Sequence, residues 1–207
     1  MKLVGLSGKK GSGKTTAAKY IQSKLSVPYM PTDWPMFGFF DTAKDWFKRG
    51  LGLPDGTDLN DQIVKSRVLP GGLTVREALQ KFGTDYCRSI DPDWWVNVWS
   101  HWIEDWAWPG LIVPDVRFFN ELKAIQDRGG HVIRLLRAPH PEDAHETETA
   151  LDEIELVSLG LGIDRIPSNR AEGTAGEVFD AVIDNREMPR DQMCETVWKL
   201  CNERNWV

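Results

Sequence analysis

The stretch GKKGSGKT, residues 8–15, fits the pattern G-x-x-x-x-G-K-[ST] at every specified position. An apolar run, Leu3–Leu6, comes directly before it, and apolar residues recur at helical spacing through residues 17–25. Glycines let successive backbone N–H groups turn inward toward phosphate oxygens, and the positive end of the following helix faces the same anion. The stretch therefore predicts a strand, a phosphate-binding loop and a helix that together bind a nucleoside triphosphate.

Two side chains of this loop carry chemistry that a triphosphate needs. Lys14 supplies a point charge to the β- and γ-phosphates, and the Thr15 hydroxyl is an oxygen ligand suited to Mg²⁺. The sequence has no N/T-K-x-D segment of the kind with which GTPases read guanine, so we predict ATP and Mg²⁺ as cofactors. The residues predicted to bind the triphosphate are Gly8, Gly11, Ser12, Gly13, Lys14, Thr15 and Thr16.

Composition and charge limit the kinds of partner. The 207 residues are 41% hydrophobic and 27% charged, which is ordinary for a globular protein. The formal net charge of -6 argues against a general nucleic-acid binder. No apolar run approaches the roughly 20 residues of a membrane span, and three cysteines in no metal-binding spacing predict free thiols in a reducing compartment. We expect a cytoplasmic enzyme or binding module with no nucleic acid or membrane partner.

Apolar runs alternate with helical patterns along the rest of the chain, which predicts a parallel sheet with helices on both faces. Thr74 followed by Glu77 is a capping-box signal for a helix that runs to Ser89. No linker divides the sequence, so we predict a single domain over 1–207. Further strands are predicted at Val27–Met30, Leu111–Val113, Val132–Leu136 and Ile163–Ile166, and a further helix at Thr174–Ile183.

A second group of charged residues follows the predicted strand at 111–113. Asp115 comes at the carboxyl end of that strand, where ligands bind in α/β folds, and suits Mg²⁺ or its water shell. Arg117 can bind a phosphate through two parallel hydrogen bonds. Glu121, one helical turn further on, fits a contact to Arg117 or to a sugar hydroxyl. The alternative is an Asp that caps a helix beside a solvated Arg–Glu pair.

Three polar residues lie one helical turn apart on the helix that begins near Thr74. Gln80, Thr84 and Arg88, at i, i+4 and i+8, fit either a stripe that binds a base and a phosphate or an ordinary solvated face. Arg134 and Arg137 follow the predicted strand at 132–136. They are candidates for neutralising charge in a transition state, or are surface charges.

Four tryptophans, spaced 4, 3 and 4, predict one face of a further helix that is directed toward the core. The first of them, Trp95, alternatively lines a pocket. The four residues are Trp95, Trp99, Trp102 and Trp106.

Together these segments resemble the deoxynucleoside monophosphate kinases of tailed bacteriophages. The resemblance rests on the loop at 8–15 and on LQKFGTDYCR (79–88), DPDWW (91–95), PDVRFFNE (114–121) and HETETALDE (145–153). It implies that Asp115, Arg117 and Glu121 belong to the nucleotide site, and that Gln80, Thr84 and Trp95 help to hold the monophosphate, with the adjacent Trp94 as the alternative to Trp95.

The resemblance also implies a reaction and an architecture. ATP would donate its γ-phosphoryl group to a deoxynucleoside 5′-monophosphate, in the cytoplasm of a host cell if the protein is viral. The sheet would have five parallel strands in the order 2-3-1-4-5, with a monophosphate-binding region at 31–108 and a lid at 138–153. A homodimer is also implied. Two alternatives stay open: another small-molecule kinase with the same loop, or an ATP-binding regulatory protein without kinase activity.

Overall fold

The computed structural model describes residues 1–26, 34–137, 151 and 178–207. These residues form two compact units. One comprises Met1–Gly38 with Ala107–Val207, and the other is the continuous segment Phe39–Trp106. The second unit spans nearly the segment 31–108 that was predicted to bind the monophosphate, and its role stays a prediction. The predicted lid at 138–153 lies outside the described residues, apart from Leu151.

The first unit is built on a sheet whose strands are all parallel. Their order is β2-β1-β3-β4, so the first strand in the sequence lies inside the sheet. The strands are largely continuous apolar runs, as expected where both faces of a parallel sheet are covered. Their bounds are Lys2–Gly8 for β1, Gly110–Val116 for β2, His131–Leu136 for β3 and Ala181–Asp184 for β4.

Helices cover both faces of this sheet. On one face, α1 (Lys14–Leu25) and the C-terminal helix α8 (Arg190–Glu203) share an apolar core with Val4 and Leu6 of β1. On the other face lies α7 (Phe119–Gln126): a Cβ on Gly5 would be 2.8 Å from the Ile125 Cδ1 atom. Successive residues of a strand point to opposite faces, so β1 is covered on both sides.

The predicted fold class, a parallel sheet with helices on both faces, is confirmed, but the prediction of five strands is not. The described residues form four strands, and β4 overlaps the end of the predicted helix Thr174–Ile183. Val182 and Ile183 are β-branched and favour a strand, and Ile183 pairs with Leu135 of β3. The predicted strands Val27–Met30 and Ile163–Ile166 lie outside the described residues. An isolated parallel bridge joins Met36 to Ile112 of β2.

The regular elements of the second unit are helices, joined by turns and by an isolated antiparallel bridge between Val68 and Thr74. Its cap at Thr74 is confirmed: the Thr74 hydroxyl accepts from the Glu77 amide and the Glu77 carboxylate accepts from the Thr74 amide. The helix then changes to π geometry, with i→i+5 hydrogen bonds, before a last short turn. The elements are α2 (Asp41–Gly50), α3 (Gln62–Ser66), α4 (Val75–Gln80), the π-helix (Lys81–Cys87), α5 (Arg88–Ile90) and α6 (Trp94–Glu104).

The buried face of α6 differs from the predicted tryptophan stripe. Trp95, Trp99 and Ile103 are buried at a spacing of 4 and 4, whereas Trp102 is 50% exposed. Trp106 lies beyond the end of the helix, so the spacing of a continuous helix does not apply to it. Within the described ranges, no helix is long and apolar enough to cross a membrane.

Candidate functional site

The loop at 8–15 has the backbone shape that phosphate binding requires. Gly8, Gly11 and Gly13 all have positive φ angles, of 146°, 79° and 95°. At Gly8 a Cβ would lie 2.6 Å from the Leu135 carbonyl oxygen, and at Gly13 it would lie 2.7 Å from the Met193 Cε atom. Only glycine fits both the conformation and the space at these positions.

The first turn of α1 brings the charged and hydroxyl groups of the loop together. Lys14 is 7% exposed, and its ammonium donates to the carbonyl oxygens of Gly8 and Lys9. Thr15 is exposed and Thr16 is half-buried in the same turn. That turn contains no acidic side chain, so nothing in it neutralises the positive end of the helix. The loop and helix end together can attract a phosphate group.

A buried hydrogen-bond network lies directly behind the loop. The Ser7 hydroxyl donates to the Val116 carbonyl of β2 at 2.8 Å and accepts from the Arg134 Nη1 atom at 3.0 Å. Arg134 is 3% exposed, and its guanidinium lies 5.7 Å from the centre of the Phe179 ring. The network therefore joins the carboxyl ends of β2, β1 and β3. Arg134 lies inside β3, not after it as predicted, and its role in catalysis stays a prediction.

The exposed Arg137 comes directly after β3. It thus keeps the position that the sequence predicted, at the carboxyl edge of the sheet, where the phosphate-binding loop also begins. Its part in neutralising charge stays a prediction.

The charged residues after β2 form a compact group. The Nε atom of Arg117 donates to the Oδ1 atom of Asp115 at 2.7 Å, with both side chains about a quarter to a third exposed. Glu121 is 4% exposed, and its Oε2 atom accepts from the backbone N–H groups of Arg117 and Phe118. Glu121 therefore holds the backbone that carries Arg117. Its predicted contact with the Arg117 side chain or with a sugar hydroxyl stays a prediction.

The predicted stripe of Gln80, Thr84 and Arg88 does not lie on a regular α-helix. Residues 81–87 are π-helical, and a π turn contains more residues than an α turn, so the i, i+4, i+8 spacing does not align the three side chains. Thr84 is buried, whereas Gln80 and Arg88 are half-buried. The Arg88 Nη1 atom donates to the Pro92 carbonyl at 2.9 Å. Their contact with a monophosphate stays a prediction.

Trp95 belongs to the aromatic core of the second unit, as expected for the core-facing stripe. Its contact with a monophosphate stays a prediction. Trp95 is 1% exposed, and its indole Nε1 donates to the Gly83 carbonyl at 2.8 Å. The rings of Phe40, Phe82 and Trp46 surround it at centroid distances of 5.0, 6.0 and 6.1 Å. In this structure Trp95 thus acts on the π-helix through Gly83.

Sequence reasoning missed two residues that contact or precede the phosphate-binding loop. Neither Ser7 nor Asn185 was singled out from the sequence. Asn185 is 1% exposed, and its Nδ2 atom donates to the Ser12 carbonyl at 2.8 Å. Asn185 could have been found if the strand at 181–184 had been predicted. Polar residues directly after parallel strands lie at the edge of the sheet where ligands bind.

Comparison with known proteins assigns the family. A family model of deoxynucleotide monophosphate kinases matches residues 56–156. A protein of Acanthamoeba polyphaga mimivirus, provisionally named a deoxynucleotide monophosphate kinase, is 33% identical over 178 residues, which cover 78% of this chain and 88% of the relative. The chain belongs to the deoxynucleotide monophosphate kinase family. The resemblance seen in the sequence is thereby confirmed, and the chain is a kinase of the P-loop class.

Two solved structures resemble the chain more distantly. Shikimate kinase from Acinetobacter baumannii in complex with shikimate is 12% identical with a TM-score of 0.48, over 99% of this chain and 94% of that one. Shikimate kinase from Bacteroides thetaiotaomicron is 13% identical with a TM-score of 0.44, over 99% and 98% of the two chains. Similarity at this level says nothing about the substrate of this family member.

Proposed function

We propose that this kinase transfers the γ-phosphoryl group of ATP to a deoxynucleoside 5′-monophosphate and releases the diphosphate. The observation that supports the proposal is that two elements predicted to bind phosphate lie on neighbouring strands of one sheet. The loop at 8–15 follows β1, and the pair of Asp115 and Arg117 lies at the end of β2, where Ser7 pairs with Val116. Carboxyl ends of neighbouring parallel strands are where α/β folds bind ligands.

The donor phosphates have a defined set of partners in this proposal. Backbone N–H groups of the loop and the N-terminal end of α1 bind the β- and γ-phosphates, and Lys14 adds the charge that is needed as negative charge moves in the transition state. Arg117 and Arg137 supply further positive charge at the carboxyl edge of the sheet. Arg134, which is buried, adds a third positive charge near that edge. Phosphoryl transfer needs positioning and charge neutralisation more than covalent help from the protein.

The donor atoms present fit a magnesium ion. Mg²⁺ prefers hard oxygen ligands and keeps several waters, so one or two protein ligands are sufficient. The exposed Thr15 hydroxyl and the partly exposed Asp115 carboxylate are such ligands. No cluster of three or more His, Cys, Asp or Glu side chains suited to a metal occurs in the part of the chain that the structure describes. Bound Mg²⁺ would neutralise charge on the β- and γ-phosphate oxygens.

The acceptor is proposed to bind through residues of the second unit. Gln80, Thr84 and Arg88 offer an amide, a hydroxyl and a guanidinium, groups that can hydrogen-bond a base and a 5′-phosphate. Trp95 supports them by holding the Gly83 carbonyl. The name of the family supports a deoxynucleotide monophosphate as the acceptor.

An acceptor panel tests the proposal. The protein is incubated with Mg²⁺ and ATP and with each common deoxynucleoside or ribonucleoside monophosphate, and both ADP and the acceptor diphosphate are measured. We expect equal amounts of the two products with at least one deoxynucleoside monophosphate. ADP formation that is independent of every monophosphate would favour an ATP-binding regulatory protein. A small-molecule alcohol is included as a further acceptor, and transfer to that alcohol alone would favour a different kinase reaction.

A further inference from the structure

The buried amide side chain of Asn185, near the C-terminal end of the sequence, makes a hydrogen bond to the phosphate-binding loop. Its Nδ2 atom donates to the Ser12 carbonyl oxygen at 2.8 Å, across 173 positions of sequence. Asn185 is 1% exposed and Ser12 is fully buried. Water therefore does not compete for this hydrogen bond, and the Ser12 carbonyl is held in one direction.

The backbone around Asn185 is itself fixed. The Asn185 N–H donates to the Leu136 carbonyl at the end of β3 at 2.9 Å, and the Asn185 carbonyl accepts from the Met188 N–H at 3.3 Å. Met193, from the first turns of α8, approaches Gly13 so closely that a Cβ there would lie 2.7 Å from its Cε atom. The segment after β4 is thus a rigid support for Ser12 and Gly13.

The direction of the Ser12 carbonyl determines the direction of the next N–H group. The C=O and N–H of one trans peptide point in opposite directions, and no described peptide bond is cis. A Ser12 carbonyl directed toward Asn185 therefore directs the Gly13 N–H to the opposite side. Inward-pointing N–H groups of this kind are what a phosphate-binding loop offers its ligand.

We propose that Asn185 is a positioning residue: its amide group presets the Ser12–Gly13 peptide for binding the triphosphate. The inference rests on the proposed function of the loop. A purely structural role explains this residue less well. Among the described residues, the Oδ1 atom of Asn185 has no hydrogen-bond partner, and burying an unpaired carbonyl oxygen lowers stability. An apolar side chain of the same shape would avoid that cost, but could not hold the carbonyl.

The test replaces Asn185 with leucine, which keeps the branched shape and removes the donor, and separately with alanine. Affinity is measured by titration calorimetry for ATP and for inorganic tripolyphosphate. We expect both ligands to bind about tenfold more weakly to either variant, which corresponds to about 1.4 kcal/mol. The KM for the monophosphate should stay within about twofold of wild type, because only the donor side is altered. Asn202→Ala, an exposed asparagine on α8, is the matched control and should bind both ligands like wild type.

Each other outcome has a distinct meaning. Wild-type affinity for both ligands in the leucine and alanine variants would overturn the inference. Weaker ATP binding with unchanged tripolyphosphate binding would also overturn it, because Asn185 would then act on the nucleoside. A lower thermal midpoint with unchanged affinities would assign a structural role only. Failure of the wild-type protein to bind ATP and tripolyphosphate would instead overturn the proposed function.

Discussion

The indole N–H of Trp95 donates a 2.8 Å hydrogen bond to the carbonyl oxygen of Gly83. This bond joins α6 to the middle of the π-helix at 81–87. On its other side Gly83 lies against the Phe40 ring, where a Cβ would be 2.2 Å from the Cε2 atom. Trp95 and Phe40 together hold the turn that presents Thr84. π-Helical turns are rare and frequently occur at functional sites, so we expect the geometry of this turn to affect binding of the acceptor.

Gly83→Ala is expected to destabilise the protein by about 1–3 kcal/mol, because the added methyl group overlaps Phe40 and the ring must move. Urea unfolding measures this change. Since Thr84 is the next residue, the KM for the monophosphate should rise more than the KM for ATP. Gly71→Ala is the control, because a Cβ at Gly71 has no heavy atom within 4 Å. Equal urea midpoints for the two variants would contradict the prediction.

Lys14→Ala should retain less than about a tenth of the wild-type rate of phosphoryl transfer, a loss of more than about 1.4 kcal/mol of transition-state stabilisation. The charge removed is the one held at the loop by the carbonyls of Gly8 and Lys9. Initial rates with saturating ATP and monophosphate give the answer, and circular dichroism shows whether the fold is retained. Lys19→Ala, an exposed lysine on the same helix, should be as active as wild type. A folded Lys14→Ala variant that keeps more than about a tenth of the wild-type rate would contradict the role of the loop in phosphoryl transfer.

The central strands and the phosphate-binding loop could be predicted because local signals agree with the fold. The loop at 8–15 has a glycine wherever the backbone requires a positive φ, and the strands beside β1 are mostly apolar, as is typical of a sheet that is covered on both faces. Strand β4 was missed because Ala181–Asp184 is short and contains two apolar β-branched residues beside alanine, a pattern that fits a helix end as well. Its pairing with β3 is a long-range contact that local sequence does not encode.

The sequence predicted which residues belong to the candidate site better than it predicted which groups those residues contact. Asp115 and Arg117 were both predicted to belong to the nucleotide site, and they form an ion pair with each other that was not predicted. Glu121 binds backbone N–H groups, a contact that was not predicted, because a carboxylate three residues into a helix can reach the unpaired amides at its start. The π-helix could not be anticipated, because its stabilising contacts come from Phe40 and Trp95, which are distant in sequence.

Arg117→Lys should be nearly as inactive as Arg117→Ala. The Nε atom of Arg117 donates to Asp115 at 2.7 Å, and a guanidinium carries five N–H donors in a planar fork whose geometry matches both a carboxylate and a phosphate. A lysine ammonium cannot make both interactions with the same geometry. The value of kcat/KM for both substrates measures the effect, and Lys123→Ala, an exposed change on α7, is the control. If Arg117→Lys recovered most of the activity lost in Arg117→Ala, the position would need only a positive charge and not a planar guanidinium.

The stability of the protein should fall at alkaline pH through the buried thiol of Cys201. Burial in the core beside α1 and β1 raises the pKa of Cys201 from 9.0 to about 12. The folded state therefore keeps this proton where the unfolded state loses it. Its contribution to stability is complete below about pH 9 and is lost as the pH rises toward about 12, with a limiting slope of about 1.4 kcal/mol per pH unit for one proton.

The measurement compares wild type with Cys201→Ala by urea unfolding under reducing conditions between about pH 8 and pH 11, where the thiol term changes most. At pH 8 the alanine variant should be less stable, because the substitution leaves a small cavity beneath α8. As the pH rises, the difference in free energy of unfolding between wild type and Cys201→Ala should narrow, because only wild type loses the stability that the protonated Cys201 thiol contributes. The difference between wild type and Asn202→Ala, which changes the exposed neighbouring residue, should stay constant. A constant difference for Cys201→Ala as well would mean that the thiol ionises equally in the folded and unfolded states.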